Sequence, residues 1–158
     1  MIALKGLPIA PGEGHRAGRQ LLEKMVAAHT GASLPPMAIT DRGKPYFPDS
    51  SLHFSISHSK GHVFCALSDR PIGIDAEEAD RAISPALATK ILSASEYAQW
   101  QQAEDPRKAL LTFWVLKEAQ AKCTGEGLRG YPNSTNFSLD DPRVRQIHGC
   151  LVAVIEGE

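Results

Sequence analysis

Hydrophobic and polar positions follow a helical period near the start of the chain and a strand period in its middle. Between Glu13 and His29 the apolar residues recur every three or four positions, and Gly31 follows as a stop signal. The next apolar segments are short, rich in β-branched and aromatic residues, and bounded by turn residues: LHFSIS, HVFCALS and PIGIDAE. This pattern predicts an amphipathic helix followed by antiparallel strands joined by tight turns.

A helical period returns in the second half of the chain, where capping residues mark the helix ends. The segments Ser84–Leu92 and Ser93–Glu104 have this period, and Ser93 with Glu96 forms a capping box. A third helix begins after Asp105, a suitable N-cap, and Gly125 can end it. Beyond the turn region TGEGLRGYPN, the segments TNFSL and GCLVAVIE are predicted strands. Because the strands cluster instead of alternating with helices, the pattern favours an α+β fold.

Length and composition narrow the class of protein. The 158 residues suit one compact domain, and 42% hydrophobic with 22% charged residues is typical of a soluble globular protein. No apolar run has the length of a membrane span, and the first residues, MIALKGLPIAPGEGHR, lack the continuous apolar core of a signal peptide. We therefore expect a cytoplasmic protein that does not bind membranes.

Cysteine spacing and net charge argue against a zinc-motif protein, a disulfide-rich protein and a nucleic-acid-binding protein. Cys65, Cys123 and Cys150 are widely separated, which matches neither a zinc motif nor a disulfide framework, so we expect reduced, partly buried thiols. The net charge of -1 and the pI near 6.6 provide no general attraction for nucleic acid.

Acidic residues are spaced so that they can converge on one cation. Asp75 and Glu77 alternate along a predicted strand and therefore share a face, while Glu118 and Lys122 lie one turn apart on a predicted helix. Three carboxylates beside a lysine favour Mg²⁺ holding a phosphate. Two simpler interpretations remain open: a solvated strand end for the first pair, and a surface salt bridge for the second.

Hydroxyl, imidazole and basic groups provide candidates for phosphate binding. In FSISHS, Ser55, Ser57 and Ser59 alternate on one face and His58 lies at a strand boundary. His58 is equally typical of a structural histidine, and no GxSxG elbow indicates a hydrolase. Arg16 and Arg19, three apart on one helix face, and Lys44 on a loop add positive charge for a second phosphate, although each is also typical of a solvated cation.

The order of these motifs resembles that of a known family. GKPYF, FSISHS, GIDAE and WVLKEAQAKCTGEGL, between about Arg16 and Leu128, are similar to the motif series of the 4'-phosphopantetheinyl transferase superfamily. The WxxKExxxK pattern followed by GxGL is the specific part. The resemblance implies two similar α+β halves, at about 1–71 and 72–158 of a single domain, with antiparallel sheets, packed helices and coenzyme A between them.

The resemblance also implies an activity and roles for individual residues. The enzyme would move the 4'-phosphopantetheine arm of coenzyme A to a serine of an apo acyl or peptidyl carrier protein and release adenosine 3',5'-bisphosphate. Asp75, Glu77 and Glu118 would hold Mg²⁺, Lys122 would contact the transferred phosphate, and Glu118 is our candidate general base. Contacts to the nucleotide phosphates would come from Arg16, Lys44, Ser57 and His58, assisted by Lys117.

Two features of the sequence differ from larger family members. The short N-terminus lacks upstream residues that help bind coenzyme A, which affects nucleotide affinity, and Ala76 replaces a larger aliphatic residue. A metal-dependent nuclease is disfavoured by the near-neutral charge. A non-catalytic module that binds carrier proteins or coenzyme A remains an alternative. We expect a monomer rather than a trimer.

Overall fold

The computed structural model describes residues 1–127 and 132–158. Leu128 of the GxGL motif and part of the predicted turn region TGEGLRGYPN lie outside the described residues. The helices are α1 (Gly14–Thr30), α2 (Ala88–Ile91), α3 (Ala94–Gln102) and α4 (Pro106–Thr124), with short 3-10 turns at Pro85–Leu87 and Pro132–Ser134. Among the described residues, no helix combines the length and apolar character needed to cross a bilayer.

The strands form two three-stranded sheets and one small ribbon. They are β1 (Ala3–Pro8), β2 (Ala38–Ile39), β3 (Pro45–Tyr46), β4 (His53–His58), β5 (His62–Ser68), β6 (Ile72–Glu78), β7 (Val144–Ile147) and β8 (Cys150–Glu156). The first sheet has the order β1-β5-β4, the second has the order β6-β8-β7, and β2 pairs with β3.

The two larger sheets share one topology. In each, all pairings are antiparallel, the last strand in the chain lies in the centre, and the first strand lies at an edge. A long helix follows the first strand in both halves: α1 packs on β4 and β5, and α4 packs on β6 and β8. The predicted α+β fold with two similar halves is confirmed.

The capping residues in the sequence predicted most helix ends correctly. Gly31 and Gly125 both adopt the left-handed conformation that ends α1 and α4, with φ of 73° and 77°. The Ser93 and Glu96 capping box is present at the start of α3. The predicted helix Ser84–Leu92 is instead a 3-10 turn followed by the single-turn α2.

Three strand predictions were incomplete or wrong. The strands β5 and β6 are joined by a short turn, yet they belong to different sheets, because β6 pairs with β8. TNFSL is not a strand, since α3 side chains accept hydrogen bonds from its backbone: Glu96 Oε2 from Phe137 N–H at 2.8 Å and Gln99 Oε1 from Leu139 N–H at 3.1 Å. The edge strands β1 and β7 and the ribbon of β2 and β3 were not predicted.

Four clusters of buried hydrophobic residues form the core: one in the first half, one in the second half, one shared between the two sheets, and one where α4 packs on α2 and α3. In the first half, α1 packs its apolar face on the first sheet around Leu22, Val26 and Val63. In the second half, α4 packs on β8 around Leu116 and Ala153. The shared core lies between β5, β6 and β8 and contains Phe64, Ala66, Ile72, Ile74, Ala76, Cys150 and Val152.

The edges of the two sheets meet where β4 runs beside β6, a contact we call the seam. Ser55 Oγ accepts a hydrogen bond from Ile74 N–H, and Ser57 Oγ accepts one from Ala76 N–H, both at 3.1 Å. Serine hydroxyls thus satisfy backbone donors of β6 that no neighbouring strand satisfies. At the seam, an edge strand of each half therefore lies beside an edge strand of the other.

Candidate active site

The row of acids on β6 faces helix α4 because a glycine allows the helix to come close. A Cβ at Gly73 would lie 1.9 Å from the Ala119 carbonyl oxygen and 2.4 Å from Cys123 N. Since side chains alternate along a strand, Asp75 and Glu77 leave β6 on the same side as the Gly73 position. The strand therefore presents both acids toward the helix that carries Glu118 and Lys122.

Asp75 lies at the centre of the site and is nearly buried, with 6% of its surface exposed. Its Oδ1 accepts hydrogen bonds from Ser57 Oγ at 3.3 Å and from Lys122 Nζ at 3.4 Å. Burial raises the pKa of Asp75 to about 7, Lys122 opposes this rise, and the negative charges of Glu77 and Glu118 add to it. Among the described residues, Asp75 Oδ2 is the one buried side-chain nitrogen or oxygen without a hydrogen-bond partner.

Glu77 and Glu118 are the other two acids whose charges act on Asp75. Burial raises the pKa of Glu118, Lys122 lowers it, and Glu77 raises it further. Glu77 forms an ion pair of 2.7 Å with Arg81. Within the part of the chain that the structure describes, these three acids do not bring one ligand atom each within 4.8 Å of one another. Releasing Glu77 from Arg81 would free it to approach Asp75.

Lys122 connects both sides of the seam to Asp75. Its ammonium donates to the Ile74 carbonyl at 3.0 Å, to the Ile56 carbonyl at 3.4 Å and to Asp75 Oδ1 at 3.4 Å. The ion pairs of the described residues include Lys122 with Asp75 and not Lys122 with Glu118, so the surface salt bridge is not formed. Three contacts match the three protons of an ammonium group. A phosphate would have to replace one of the two longer contacts.

A cleft of about 270 Å³ opens beside this group. Residues of both halves line it, including Ser55, Ile56, Glu118 and Lys122, together with Arg42 and Lys44 from the segment around β3. Arg42 was not predicted as a site residue, although it adjoins the GKP motif; its Nη1 donates to the Glu126 carbonyl at 3.0 Å. The cleft therefore brings the Glu118 carboxylate together with the cations Arg42, Lys44 and Lys122.

Lys44 lines this cleft but already binds backbone oxygens. Its ammonium donates to the Cys123 carbonyl at 3.0 Å and to the Ile72 carbonyl at 3.5 Å. Burial lowers the pKa of Lys44, while the Cys123 thiol opposes that change. Two lysines thus cover two carbonyls of the β6 edge, Lys44 at Ile72 and Lys122 at Ile74.

His58 and Arg16 lie near the start of α1 rather than in the central group. His58 lines a second cleft of about 380 Å³ with Gly14 and His15, and a Cβ at Gly14 would lie 2.5 Å from the His58 ring. Arg16 is exposed on the first turn of α1. The helix N-terminus, which favours anions, therefore meets His58 directly.

Lys117 lies in a buried ion pair and not in the group of acids around Asp75. It is buried with Glu96 in an ion pair of 2.7 Å, with 1% and 0% of their side chains exposed. Its ammonium also donates to Thr135 Oγ1 at 2.5 Å, and burial lowers its pKa while Glu96 opposes the change. This ion pair gives Lys117 a partner on α3, and its role as a nucleotide contact stays a prediction.

The residues around Asp75 fit a magnesium ion by their chemistry. Mg²⁺ prefers carboxylate oxygens, and Asp75 offers a buried oxygen that no protein donor satisfies. A cation there would also offset the clustered negative charge that raises the pKa of Asp75.

Comparison with known proteins identifies the family. The family model described as the 4'-phosphopantetheinyl transferase superfamily matches residues 71–152, about half of the chain. This chain belongs to that superfamily. The matched region contains Asp75, Glu77, Glu118 and Lys122, whereas Ser57 and His58 precede it.

Relatives within the superfamily agree with this assignment. The 4'-phosphopantetheinyl transferase AcpT of Escherichia coli O157:H7 is 34% identical over 134 residues, which cover 77% of this chain and 68% of that protein. The 4'-phosphopantetheinyl transferase gsp of Aneurinibacillus migulanus is 37% identical over 108 residues, 66% of this chain and 44% of the relative. Sfp of Bacillus subtilis strain 168 is 37% identical over 89 residues, 54% and 39% of the two chains. The chain thus spans about half the length of several curated relatives.

Proposed function

We propose that this protein transfers the 4'-phosphopantetheine arm of coenzyme A to a serine of an apo acyl or peptidyl carrier protein, with Mg²⁺ and with release of adenosine 3',5'-bisphosphate. The carrying observation is the unsatisfied Asp75 Oδ2, buried beside Lys122 and close enough to Glu118 for their charges to interact. Superfamily membership supports the reaction class, because the matched relatives bear this activity in their names.

Three acids would hold the magnesium ion, which would neutralise charge on the pyrophosphate of coenzyme A. Asp75 would supply the buried oxygen, and Glu118 would bind from α4. Glu77 would exchange its ion pair with Arg81 for the metal, since Arg81 is bound at the rim with 43% of its side chain exposed. In this arrangement the group of acids tightens on loading.

The side chains of the protein would position and move the reacting atoms. Glu118 is half-buried and lines the cleft, a position from which it would accept the proton of the incoming serine hydroxyl. As the serine oxygen bonds to the phosphorus of the arm, the bond from that phosphorus to the bridging oxygen breaks. That oxygen leaves with adenosine 3',5'-bisphosphate. Lys122 would donate to the transferred phosphate after releasing one of its 3.4 Å contacts.

The nucleotide phosphates would lie along the first half of the chain. Lys44 and Arg42 line the central cleft, and Ser57, which donates to Asp75 Oδ1, would contribute a hydroxyl beside the acids. His58 and Arg16 would bind a phosphate near the N-terminus of α1. Because residues of both halves line one cleft, we infer that a single chain forms a complete site and acts as a monomer, which light scattering after gel filtration would test.

Mass spectrometry of a carrier protein tests the proposal directly. The protein is incubated with coenzyme A, Mg²⁺ and an apo carrier protein, and the carrier should gain the mass of one phosphopantetheine arm. The variants Asp75→Asn and Glu118→Gln should lose most turnover, about 100-fold or more if Glu118 is the base. Chelation of Mg²⁺ should abolish the mass gain in the unmodified protein.

A matched surface variant separates loss of chemistry from loss of fold. Glu104→Gln removes an exposed carboxylate outside the site and should leave transfer unchanged. Coenzyme A binding without any mass gain across several carriers would support the non-catalytic binding module instead. Near-normal transfer by Glu118→Gln would exclude Glu118 as the base.

A further inference from the structure

A second group of potential metal ligands lies on the opposite side of β6 from the acids. His62 begins β5, Glu78 ends β6 and Cys150 begins β8, and one ligand atom of each lies within 4.8 Å of the others. Glu78 and Cys150 are directly opposite in the antiparallel ladder, so their side chains share a face. Glu78 alternates with Glu77 and therefore points away from α4.

We propose that His62, Glu78 and Cys150 form a binding site for a zinc-class divalent cation that ties the two halves of the protein together. His62 Nδ1 lies 2.9 Å from Glu78 Oε1, and Cys150 Sγ lies 3.6 Å from Glu78 Oε2. Imidazole nitrogen, thiolate sulfur and carboxylate oxygen are the zinc donors, whereas Mg²⁺ takes oxygen alone. The site is therefore chemically distinct from the Asp75 group.

The surroundings of Glu78 already orient it as metal sites require. Ser59 Oγ donates to Glu78 Oε1 at 2.7 Å, and the Gly61 backbone N–H donates to the same oxygen at 3.0 Å. Hydrogen bonds of this kind fix a ligating carboxylate in zinc sites. Cys150 is buried, while His62 and Glu78 keep 20% and 26% of their side chains exposed, which leaves an entry for an ion.

Proton balance on binding is simple. The Cys150 thiol loses its proton to solvent as sulfur bonds to the cation. The imidazole of His62 releases Nδ1 to the metal and carries its proton on Nε2. Two anionic ligands then neutralise the two charges of the ion.

A reactive cysteine is a poorer interpretation of the same group. The hydrogen-bond partner of Cys150 is a carboxylate rather than an imidazole. Burial and the negative charge of Glu78 raise the pKa of the Cys150 thiol to about 11, so the free thiol is a weak nucleophile. A divalent cation removes this obstacle because it stabilises the thiolate directly.

Cobalt substitution tests the site without using activity. The full chain is stripped of metal, and Co²⁺ alone is titrated while the thiolate-to-cobalt charge-transfer band is followed. One Co²⁺ per chain should produce the band, Zn²⁺ should remove it by competition, and Zn²⁺ should raise the thermal midpoint. Cys150→Ala should lose the band, whereas Cys123→Ala, a matched loss of another buried thiol, should keep it.

Two further measurements keep the outcome decisive. Circular dichroism and urea unfolding of metal-free Cys150→Ala establish that this variant is folded. Asp75→Asn should retain the cobalt band, because Asp75 belongs to the other face of β6. No band at stoichiometric Co²⁺, a band that persists in folded Cys150→Ala, or a band lost in Asp75→Asn would each overturn the proposal.

Discussion

The two halves of the protein share a topology but differ in how their long helices are used. Helix α1 buries six of its 17 residues and leaves its cations in solvent, whereas α4 buries 11 of its 19 residues. The first half supplies hydroxyls, an imidazole and exposed cations, and the second half supplies all three acids of the site. The two halves thus share an architecture but contribute different groups. Under the proposed function, the first half would bind the nucleotide and the second half would hold the metal.

The two halves differ most clearly in their buried charged residues. Among the described residues, the fully buried ion pair of Lys117 with Glu96 belongs to the second half. Glu96 also accepts hydrogen bonds from the Ser93 and Phe137 backbone N–H groups, each at 2.8 Å. This pair anchors α3 to α4, so the helix that carries Glu118 is fixed from behind.

The largest expected effect comes from breaking that pair. Lys117→Met should cost about 3–5 kcal/mol in free energy of unfolding, because Glu96 would stay buried without a cation. Urea denaturation measures the loss, and Lys108→Met, an exposed lysine on the same helix, serves as the control. At a temperature where Lys117→Met is folded, its KM for coenzyme A should match that of the unmodified protein. A raised KM would instead support Lys117 as a nucleotide contact.

Replacing either serine of the seam is expected to have the next largest effect. Ser55→Ala and Ser57→Ala each leave a buried backbone N–H without its acceptor, which should cost about 1–3 kcal/mol in stability. Ser57→Ala should also lower kcat/KM, because Ser57 donates to Asp75 Oδ1. Ser33→Ala, at an exposed position, is the control. Equal transfer rates for both seam variants would contradict the assignment of Ser57 to the site.

The pH dependence of stability should distinguish the two faces of β6. Folding raises the pKa of Asp75 from 3.8 to about 7, so its contribution is fully present at low pH and is lost as the pH rises through this interval. The slope should reach about 1.4 kcal/mol per pH unit for one proton. Unfolding midpoints of metal-free protein across this interval measure the slope, and Asp75→Asn should flatten it.

Glu78 should show the opposite dependence at acid pH. Burial disfavours its ionised form, but hydrogen bonds from His62, Ser59 and the Gly61 N–H outweigh burial and lower its pKa from 4.5 to about 2. Its contribution is therefore present above pH 4.5 and is lost as the pH falls toward 2. Glu78→Gln should flatten only this acid limb. A slope of the same sign in both intervals would refute the contrast between the faces.

The smallest effect is expected at the exposed cations of the first half. Arg16→Ala should raise the KM for coenzyme A roughly five-fold, equivalent to about 1 kcal/mol, and should leave stability within about 0.5 kcal/mol. Lys24→Ala removes an exposed cation further along α1 and should change neither quantity. Equal KM values for the two variants would remove Arg16 from the proposed phosphate contacts.

Elements with local signals could be predicted from the sequence, and those with distant partners could not. Asp105 and Gly125 mark the ends of α4 because capping is decided within a few residues. The family resemblance and the α+β fold are confirmed. The separation of β5 from β6 was missed, since a short turn has the same sequence signature in a hairpin and between two sheets.

The candidate site divides in the same way. Alternation and helical spacing placed Asp75 with Glu77 and Glu118 with Lys122 on shared faces. Nothing local indicates that Lys122 binds the Ile56 and Ile74 carbonyls, because their need for a donor arises only when β4 meets β6. Arg81 was missed for a different reason: it lies only four residues after Glu77, but that spacing signals a pair on a helix, and here the chain makes a turn after β6. The catalytic and binding roles stay predictions.

The seam also bears on the order in which the chain folds. Its serine contacts join residues only 18 or 19 positions apart, whereas the same strand β6 places Ile72 opposite Glu156 at the far end of the chain. Short loops cost less entropy to close than long ones. We therefore expect β4, β5 and β6 to form the folding nucleus, with the floor of the cleft built before β8 arrives to complete the second sheet.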